Sequence, residues 1–459
     1  MIRIPLSKFN IPLDQDKDVL KTYNWLMTLI SKEDWLVRKT DIEKRITIEN
    51  KTSTPFSDPL DKGTLLVIKD DQIGWYLYLA ETFLKEPQKY ESIQGSRVIP
   101  IFKRLGIDFD LLMTIEGVEQ KIKVLLKKRR AEADAILFEI LTALTWARNG
   151  WFVKFLEEGK GGKSPDLLVA KGKRKYQVEC KRQMKTAAYT YEETRKRQVM
   201  LSHLNRELLF GNFLLDITFH VELHTLADTY LKDLLSSKLS GFKVPGKISD
   251  PNIADIVVAF VDIKKINKHL QSYYVKYPSP QLNLLIGEKA ADNYAFTSGM
   301  YANFLYLGDG VVNNQYVHQL ANAYGVFIKC DAPEAINAKA RDIKKQLFSA
   351  LEQFSGADGG VIHIGMETFD GPEVEKERFL KISDTLKNTG VMAKKLKWAY
   401  LHFFQSYSTP IETWAFDETV STIFQHPIDG DPPLTANFLV VPDGAAIENL
   451  SHWERPLPE

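Results

Sequence analysis

The sequence predicts an α/β protein, with a mixed sheet flanked by helices, a mostly helical N-terminal domain and an additional C-terminal α/β region. Three observations predict it. Apolar residues recur at helical spacing through the first 130 residues. Strand-like and helix-like runs alternate after that point. Between the two lies a tight turn joining two strand-like runs.

The elements follow in order. QIGWYLYLAETFLKE (Gln72 to Glu86) carries a helical apolar pattern, and so does EGVEQKIKVLLKKRR (Glu116 to Arg130), with Val118, Ile122, Leu125 and Leu126 on one side. TLLVIKD (Thr64 to Asp70) reads as a short strand. Ala131 to Gly150 reads as a helix with Leu137, Ile140, Leu141 and Leu144 as its apolar stripe and Asn149-Gly150 as its stop. WFVKFL (Trp151 to Leu156) follows as a strand, then a Gly/Lys loop, then PDLLVA (Pro165 to Ala170), the turn KGKRK and YQVECKR (Tyr176 to Arg182). Tyr191 to Leu208 reads as a basic helix and Leu214 to Leu223 as a strand. Ser240 to Asn252 is rich in turn residues and reads as a linker. IVVAFVD (Ile256 to Asp262), LNLLIG (Leu282 to Gly287), GGVIHIGME (Gly359 to Glu367) and KWAYLHFFQSY (Lys397 to Tyr407) are strand-like. Pro333 to Phe354 and Gly371 to Asn388 are helical, and the end is Pro-rich and acidic.

Composition bounds the function. With 459 residues, 44% hydrophobic and 26% charged, the chain has apolar material for more than one core and is not a disordered tract. The two cysteines, Cys180 and Cys330, form neither a zinc spacing nor a disulfide framework. No signal-peptide pattern opens the chain, and the apolar stretch from Ala135 to Ala147 is short and broken by Glu139. The expectation is a soluble, cytoplasmic protein with no membrane partner. The net charge of +1 hides an asymmetry. Residues 120–210 hold 21 Lys plus Arg against 10 Asp plus Glu, whereas residues 401–459 hold 9 acidic residues and one basic, Arg455. A basic middle attracts phosphate.

The hairpin carries the chemistry. If Gly172 and Lys173 form a two-residue turn, pairing runs outward from 171 with 174, and position 166 falls opposite 179. Opposed residues share a face with Cβ atoms roughly 5 Å apart. Alternation puts Tyr176, Val178 and Cys180 on the core face, leaving Cys180 inert, and Gln177, Glu179 and Lys181 on the other. Two carboxylates at ~5 Å repel by about 3 kcal/mol at an effective dielectric near 20. Lys181 supplies one counter-charge, and a hard divalent cation supplies a better one. A cation so held lowers the pKa of bound water and stabilises charge on a phosphate.

The pattern Pro165-Asp166, twelve intervening residues, then Glu179-Cys180-Lys181, after a helix and a strand, resembles the PD-(D/E)xK nuclease superfamily. VECKR looks most like its restriction-endonuclease and Holliday-junction-resolvase branches. The resemblance spans about 60 residues, Ala131 to roughly Tyr191. It implies a restriction-endonuclease-like mixed sheet, with Asp166 and Glu179 as ligands of Mg²⁺ (or Mn²⁺) and Lys181 as the catalytic lysine. It also implies a helix carboxylate, for which Glu139 is the best match and Glu132 the second. Gln183 continues the Glu179/Lys181 face. Lys163 in the basic loop and Arg195 and Arg197 on the basic helix are candidate nucleic-acid contacts. The implied activity is a DNA endonuclease, in bacterial restriction or anti-phage defence, acting as a homodimer or with a partner subunit. Two other readings stay open: a nuclease that cuts RNA or only when licensed by a signal or subunit, and a non-catalytic nucleic-acid-binding scaffold.

Other motifs carry less. GKGGKS (Gly159 to Ser164) is no P-loop, since Glu157 stands where the first Gly belongs and Pro165 and a strand follow. HVELH puts His220, Glu222 and His224 on one face if the strand continues, and His363 shares a face with Glu367. The expected division is 1–130 helical, 131–226 nuclease core, 227–332 insertion or linker, and 333–459 C-terminal. Two arrangements are open: the strand GVIHIG completes the core sheet, or the core ends near Leu223 and a separate α/β domain follows.

Overall fold

The computed structural model describes residues 16–52, 68–157, 164–183, 188–289, 295–306, 315–340, 342–354, 359–367, 370–388, 396–407, 415–424, 432–442, 451 and 453–454. It is a mixed α/β structure built on two six-stranded sheets. Among the described residues, no helix is long and apolar enough to cross a membrane. TLLVIKD lies largely outside the described residues.

Six helices open the chain: α1 (Lys17–Thr28), α2 (Lys32–Thr52), α3 (Gln72–Lys85), α4 (Ser92–Ile107), α5 (Phe109–Leu112) and α6 (Val118–Lys127). Asp71 starts α3 by accepting the Gly74 amide at 3.0 Å, and Arg38 of α2 holds the same carboxylate with two bonds of 2.6 Å. Next comes α7 (Ala133–Arg148), buried continuously from Ile136 to Ala147. A helix apolar on one side only would expose a stripe. This one is covered on both sides, by the N-terminal helices and by a sheet. One hydrophobic core runs from Val19 of α1 through Leu137 and Leu144 of α7 to Val178 and Val361 on strands. The expected cut at residue 130 therefore falls inside a continuous core.

The remaining elements are β1 (Phe152–Phe155), β2 (Leu167–Lys171), β3 (Arg174–Gln183), α8 (Ala188–Ser202), α9 (Asn205–Gly211), β4 (Phe213–Phe219), α10 (Tyr230–Leu239), β5 (Gly246–Asp250), β6 (Ala254–Phe260), α11 (Ile263–Leu270), β7 (Val275–Lys276), α12 (Pro280–Gly287), β8 (Ala295–Tyr306), β9 (Gln315–Cys330), α13 (Pro333–Lys339), α14 (Lys344–Leu351), β10 (Gly359–Glu367), α15 (Pro372–Lys387), β11 (Leu396–Tyr407) and β12 (Ala415–Phe424). The first sheet has the order β1-β2-β3-β10-β11-β12, with β3, β10 and β11 parallel and the outer pairs antiparallel. The second has the order β5-β6-β4-β9-β7, and β8 also pairs with β9. The chain between β3 and β10 carries the whole of the second sheet.

Several expectations are corrected. Strand β4, grouped by sequence with residues 131–226, pairs with β6 and β9 in the second sheet. LNLLIG is helix α12, because Ser279 caps it through the Leu282 amide and Pro280 occupies its first turn. The basic run from Tyr191 is two helices that break near Leu204, and the run from Pro333 is also two. The linker at Ser240 to Asn252 contains β5. Strands β8, β9 and β12 had no distinct expectation.

A buried polar chain threads the first sheet. Trp146 Nε1–H donates to His363 Nε2 at 3.1 Å. An indole only donates, so His363 Nδ1 carries that ring's hydrogen. It donates to His402 Nε2 at 3.0 Å, and His402 Nδ1–H then meets Glu418 Oε1 at 3.1 Å. Glu418 also accepts the amides of Leu439, Val440 and Val441, between 2.8 and 3.3 Å, which ties residues 439–441 to β12. Burial holds the His363 imidazolium far below its ordinary range, so the ring is neutral. We expect Glu418→Ala to destabilise the protein by about 3–5 kcal/mol, since it strands buried donors. Glu418→Gln should cost less, because the amide oxygen still accepts. Urea unfolding measures both, and a loss below about 1 kcal/mol for the alanine variant would show that the chain is not structurally important.

Candidate active site

The turn at Gly172-Lys173 needs a backbone that side chains resist, and Gly172 adopts it with φ +59. From that turn the register is Lys171 with Arg174, Ala170 with Lys175, Val169 with Tyr176, Leu168 with Gln177 and Leu167 with Val178. The ladder stops there. Asp166 lies in a bend just before β2, and its Oδ2 accepts the Cys180 amide at 2.8 Å. The carboxylate thus takes up a strand amide where the two backbones part, which fixes it beside Glu179.

Glu139 comes to the same place from α7. Desolvation raises the Glu139 carboxyl to about 7, with the Asp166 charge adding to it. Burial raises Glu179 to about 8, helped by Asp166 and then Glu139. Asp166 is raised by burial as well, opposed first by the Cys180 amide. Burial is the first cause of all three shifts, and for the two glutamates the charge on Asp166 adds to it. Two lysines offset the crowding. Lys181 Nζ donates to Glu179 Oε1, and Lys121 Nζ of α6 contacts Glu139 Oε2. The Lys121 charge also acts on Asp166. Lys121 was not singled out in the sequence, where its only signal was membership of a helix beside the one carrying Glu139.

The sheet is covered on both sides. Val178, Cys180 and Val361 join the core under α7, whereas Ile362, Ile364 and Met366 join a second cluster with Leu347 of α14 and Ile382 of α15. Glu179, Lys181 and Gln183 pair with Ile362, Ile364 and Met366 and share their face. That is why Glu179 is only 2% exposed rather than lying on an open polar face. Cys180 is buried and its thiol is held well above the ordinary range by burial, so it is inert as a nucleophile. Arg182 anchors the end of β3: it donates to Glu367 Oε1 at 2.6 Å and covers the Phe404 ring at 4.8 Å. Arg97 of α4 holds the same oxygen at 2.5 Å.

The other sequence candidates scatter. Lys163 lies outside the described residues. Gln183 follows Lys181 on its face, with a buried Nε2 that has no hydrogen-bond partner. Arg195 is exposed, 3.8 Å from Glu192. Arg197 lies partly buried and donates to Thr194 at 2.9 Å. Glu132 is not on α7, and is paired with Arg129. Strand β4 ends at Phe219, before HVELH begins, so the three side chains do not share a strand face, and His220 meets Asp331 and Asp255. His363 belongs to the core chain and Glu367 to the arginines.

As they stand, no three His, Cys, Asp or Glu side chains among the described residues are arranged to hold a metal ion. Both glutamates are turned toward lysines. The donor set nevertheless suits a hard cation, since three carboxylates converge in a desolvated place and Glu179 Oε2 is buried with no hydrogen-bond partner.

Glu139 and Glu179 keep protons in the folded state that they lose near pH 4.5 when unfolded, so the folded state binds more protons between about 4.5 and 8. Stability of the metal-free protein should therefore fall as pH rises through that window. Glu179→Gln should flatten the fall, and Mg²⁺ should raise the melting temperature more at pH 8 than at pH 6. Melting curves across pH with and without Mg²⁺ read all three.

No family model matches the chain, and no curated protein or solved structure matches it.

Proposed function

We propose that this chain is a metal-dependent nuclease of the PD-(D/E)xK kind, with a restriction-endonuclease-like core, that hydrolyses phosphodiester bonds and acts on DNA ahead of RNA. One observation carries the reading: Glu139 and Glu179 are buried beside the half-buried Asp166, and each of the two glutamates is answered by a lysine from a different element. A purely structural core gains nothing from three desolvated carboxylates, whose mutual repulsion costs free energy. The basic stretch from 120 to 210 brings positive charge to the same region of the chain.

The residues divide the work. Asp166, Glu179 and Glu139 would hold Mg²⁺ or Mn²⁺, which supplies an activated water and stabilises charge on the phosphate. Asp166 is kept in position by the Cys180 amide. Lys181 and Lys121 hold the glutamates in this state. Once the carboxylates are otherwise engaged, both ammonium groups would be free to donate to phosphate oxygens. Arg182 keeps β3 from shifting by its bond to Glu367.

Purified protein with Mg²⁺ or Mn²⁺ should cut duplex DNA, with single-stranded DNA and RNA as comparisons. Asp166→Ala, Glu179→Ala and Lys181→Ala should each lower the rate by about 100- to 1,000-fold. Lys121→Ala should lower it less and raise the metal concentration needed. Cleavage that survives all three alanine changes would sink the site. Tight, metal-independent binding with no cleavage of any substrate would instead mark a nucleic-acid-binding scaffold.

A further inference from the structure

We infer that Gln183, Arg197 and Arg378 form a second phosphate pocket, which holds the phosphodiester next to the one cut at Lys181. The inference rests on the nuclease reading and deepens it by adding a strand-positioning site.

The placement comes from the fold. Lys181 and Gln183 lie two residues apart on one face of β3, roughly 7 Å along the strand, a step that one nucleotide spans. Gln183 pairs with Met366, and Arg378 of α15 donates to the carbonyl of the next residue, Glu367, at 3.2 Å. Helix α15 covers the face that carries Glu179, Lys181 and Gln183, because its Ile382 and Leu386 share the cluster of Ile362 and Met366. Arg378 also donates to Asp370 Oδ2 at 3.0 Å, and Thr190 of α8 reaches Asp370 Oδ1 at 3.4 Å. Thr190, Thr194 and Arg197 are spaced to lie on one face of α8, and the charges of Glu193 and then Asp370 act on Arg197. Asp370 thus gathers α8 and α15 around the end of β3.

Chemistry then identifies the occupant. The Gln183 amide nitrogen and Arg378 Nε are buried donors with no acceptor. The Arg197 guanidinium donates to one hydroxyl, that of Thr194, at 2.9 Å, and no ion pair joins it to a carboxylate among the described residues. Glu193 and Asp370 answer only part of this charge, since Glu193 is paired with Lys339 and Asp370 is committed to Thr190 and Arg378. Buried donors without acceptors are costly, and native proteins fill such places with an ion, water or ligand. A phosphodiester offers two anionic oxygens, and arginine and amide donors suit it. The donors' position, one strand step from Lys181, favours a neighbouring phosphate of the bound strand over a free anion.

The test uses the full chain with Asp166→Ala to prevent cleavage, and an oligonucleotide substrate carrying one neutral methylphosphonate at successive positions around the cut. Arg197→Met should weaken binding about 10- to 100-fold and lower the slope of log affinity against log salt by about one. Arg197→Lys should restore the slope. The neutral linkage next to the cut should weaken binding by the parent but not further weaken Arg197→Met. Gln183→Leu, which keeps the charge, should lose affinity without changing the slope. Unchanged melting curves would show that the variants fold. If the parent binds and the wild type cuts, but neither variant alters the response to any single linkage, the pocket is wrong and the nuclease reading stands. If the parent binds no nucleic acid and the wild type cuts none, both fall.

Discussion

The pairing of β3 with β10 decides most of the architecture. Strand β3 has the hairpin on one side and needs a partner on the other, and the partner arrives after Gly359, far along the chain. Eight parallel pairs from Tyr176 with Gly359 to Gln183 with Met366 fix the register. Because the two strands are parallel, the chain between them leaves at the C-terminal end of β3 and re-enters at the opposite end of the sheet. The intervening chain solves this by folding its own sheet, around β4 and β9, with a separate core of Leu215, Ile217, Phe219 and Val326. The register also sets chemistry: it brings Ile362 against Glu179 and so dries the carboxylate whose burial governs the site.

Close approach makes this pairing tight against α7. Gly365 lies on β10 where an added Cβ would stand 2.5 Å from the Phe138 ring. Phe138 precedes Glu139, so the glycine lets the helix come near enough for its glutamate to act on Asp166. A bulkier residue would lift the N-terminal half of α7 and move Glu139 with it. The end of β10 is held from the other direction by Arg97 and Arg182, which share one oxygen of Glu367. Helix α4, through Arg97, thereby joins the N-terminal helices to the strand next to Lys181.

Local rules made much of the proposed site legible. A two-residue turn at Gly172-Lys173 predicts the pairing of the hairpin, and the observed register agrees from Lys171 to Leu167. The face alternation of β3 also followed from period two, but its burial did not. Which face meets solvent depends on α14 and α15, which lie far along the chain. Lys121 was not legible for a related reason: its contact with Glu139 exists only because α6 packs beside α7. LNLLIG has the composition of a strand, and its helical state follows from capping and from its packing on β9. Strands β8 and β9 are long and mixed in character along their length, so no single periodicity announces them. In the sequence His363 was linked only to Glu367 on its face, and its chain through His402 to Glu418 needed three strands in register.

The lysines argue for a site with two stable arrangements. Each glutamate has a short tether to an ammonium group, and each ammonium is on an element that the fold holds independently, β3 for Lys181 and α6 for Lys121. Such pairs offset part of the burial and repulsion that raise the two glutamates. They are also exchangeable, because lysine carries its charge on a flexible stem and can exchange one anionic partner for another. A cation that takes the carboxylates and a phosphate that takes the lysines would together replace both ion pairs. Neither exchange is favourable alone, since a cation without phosphate leaves two partly buried ammonium groups unmatched, and phosphate without a cation leaves two buried carboxylates so. Metal and substrate should accordingly bind with positive coupling, each raising the other's affinity by the same factor.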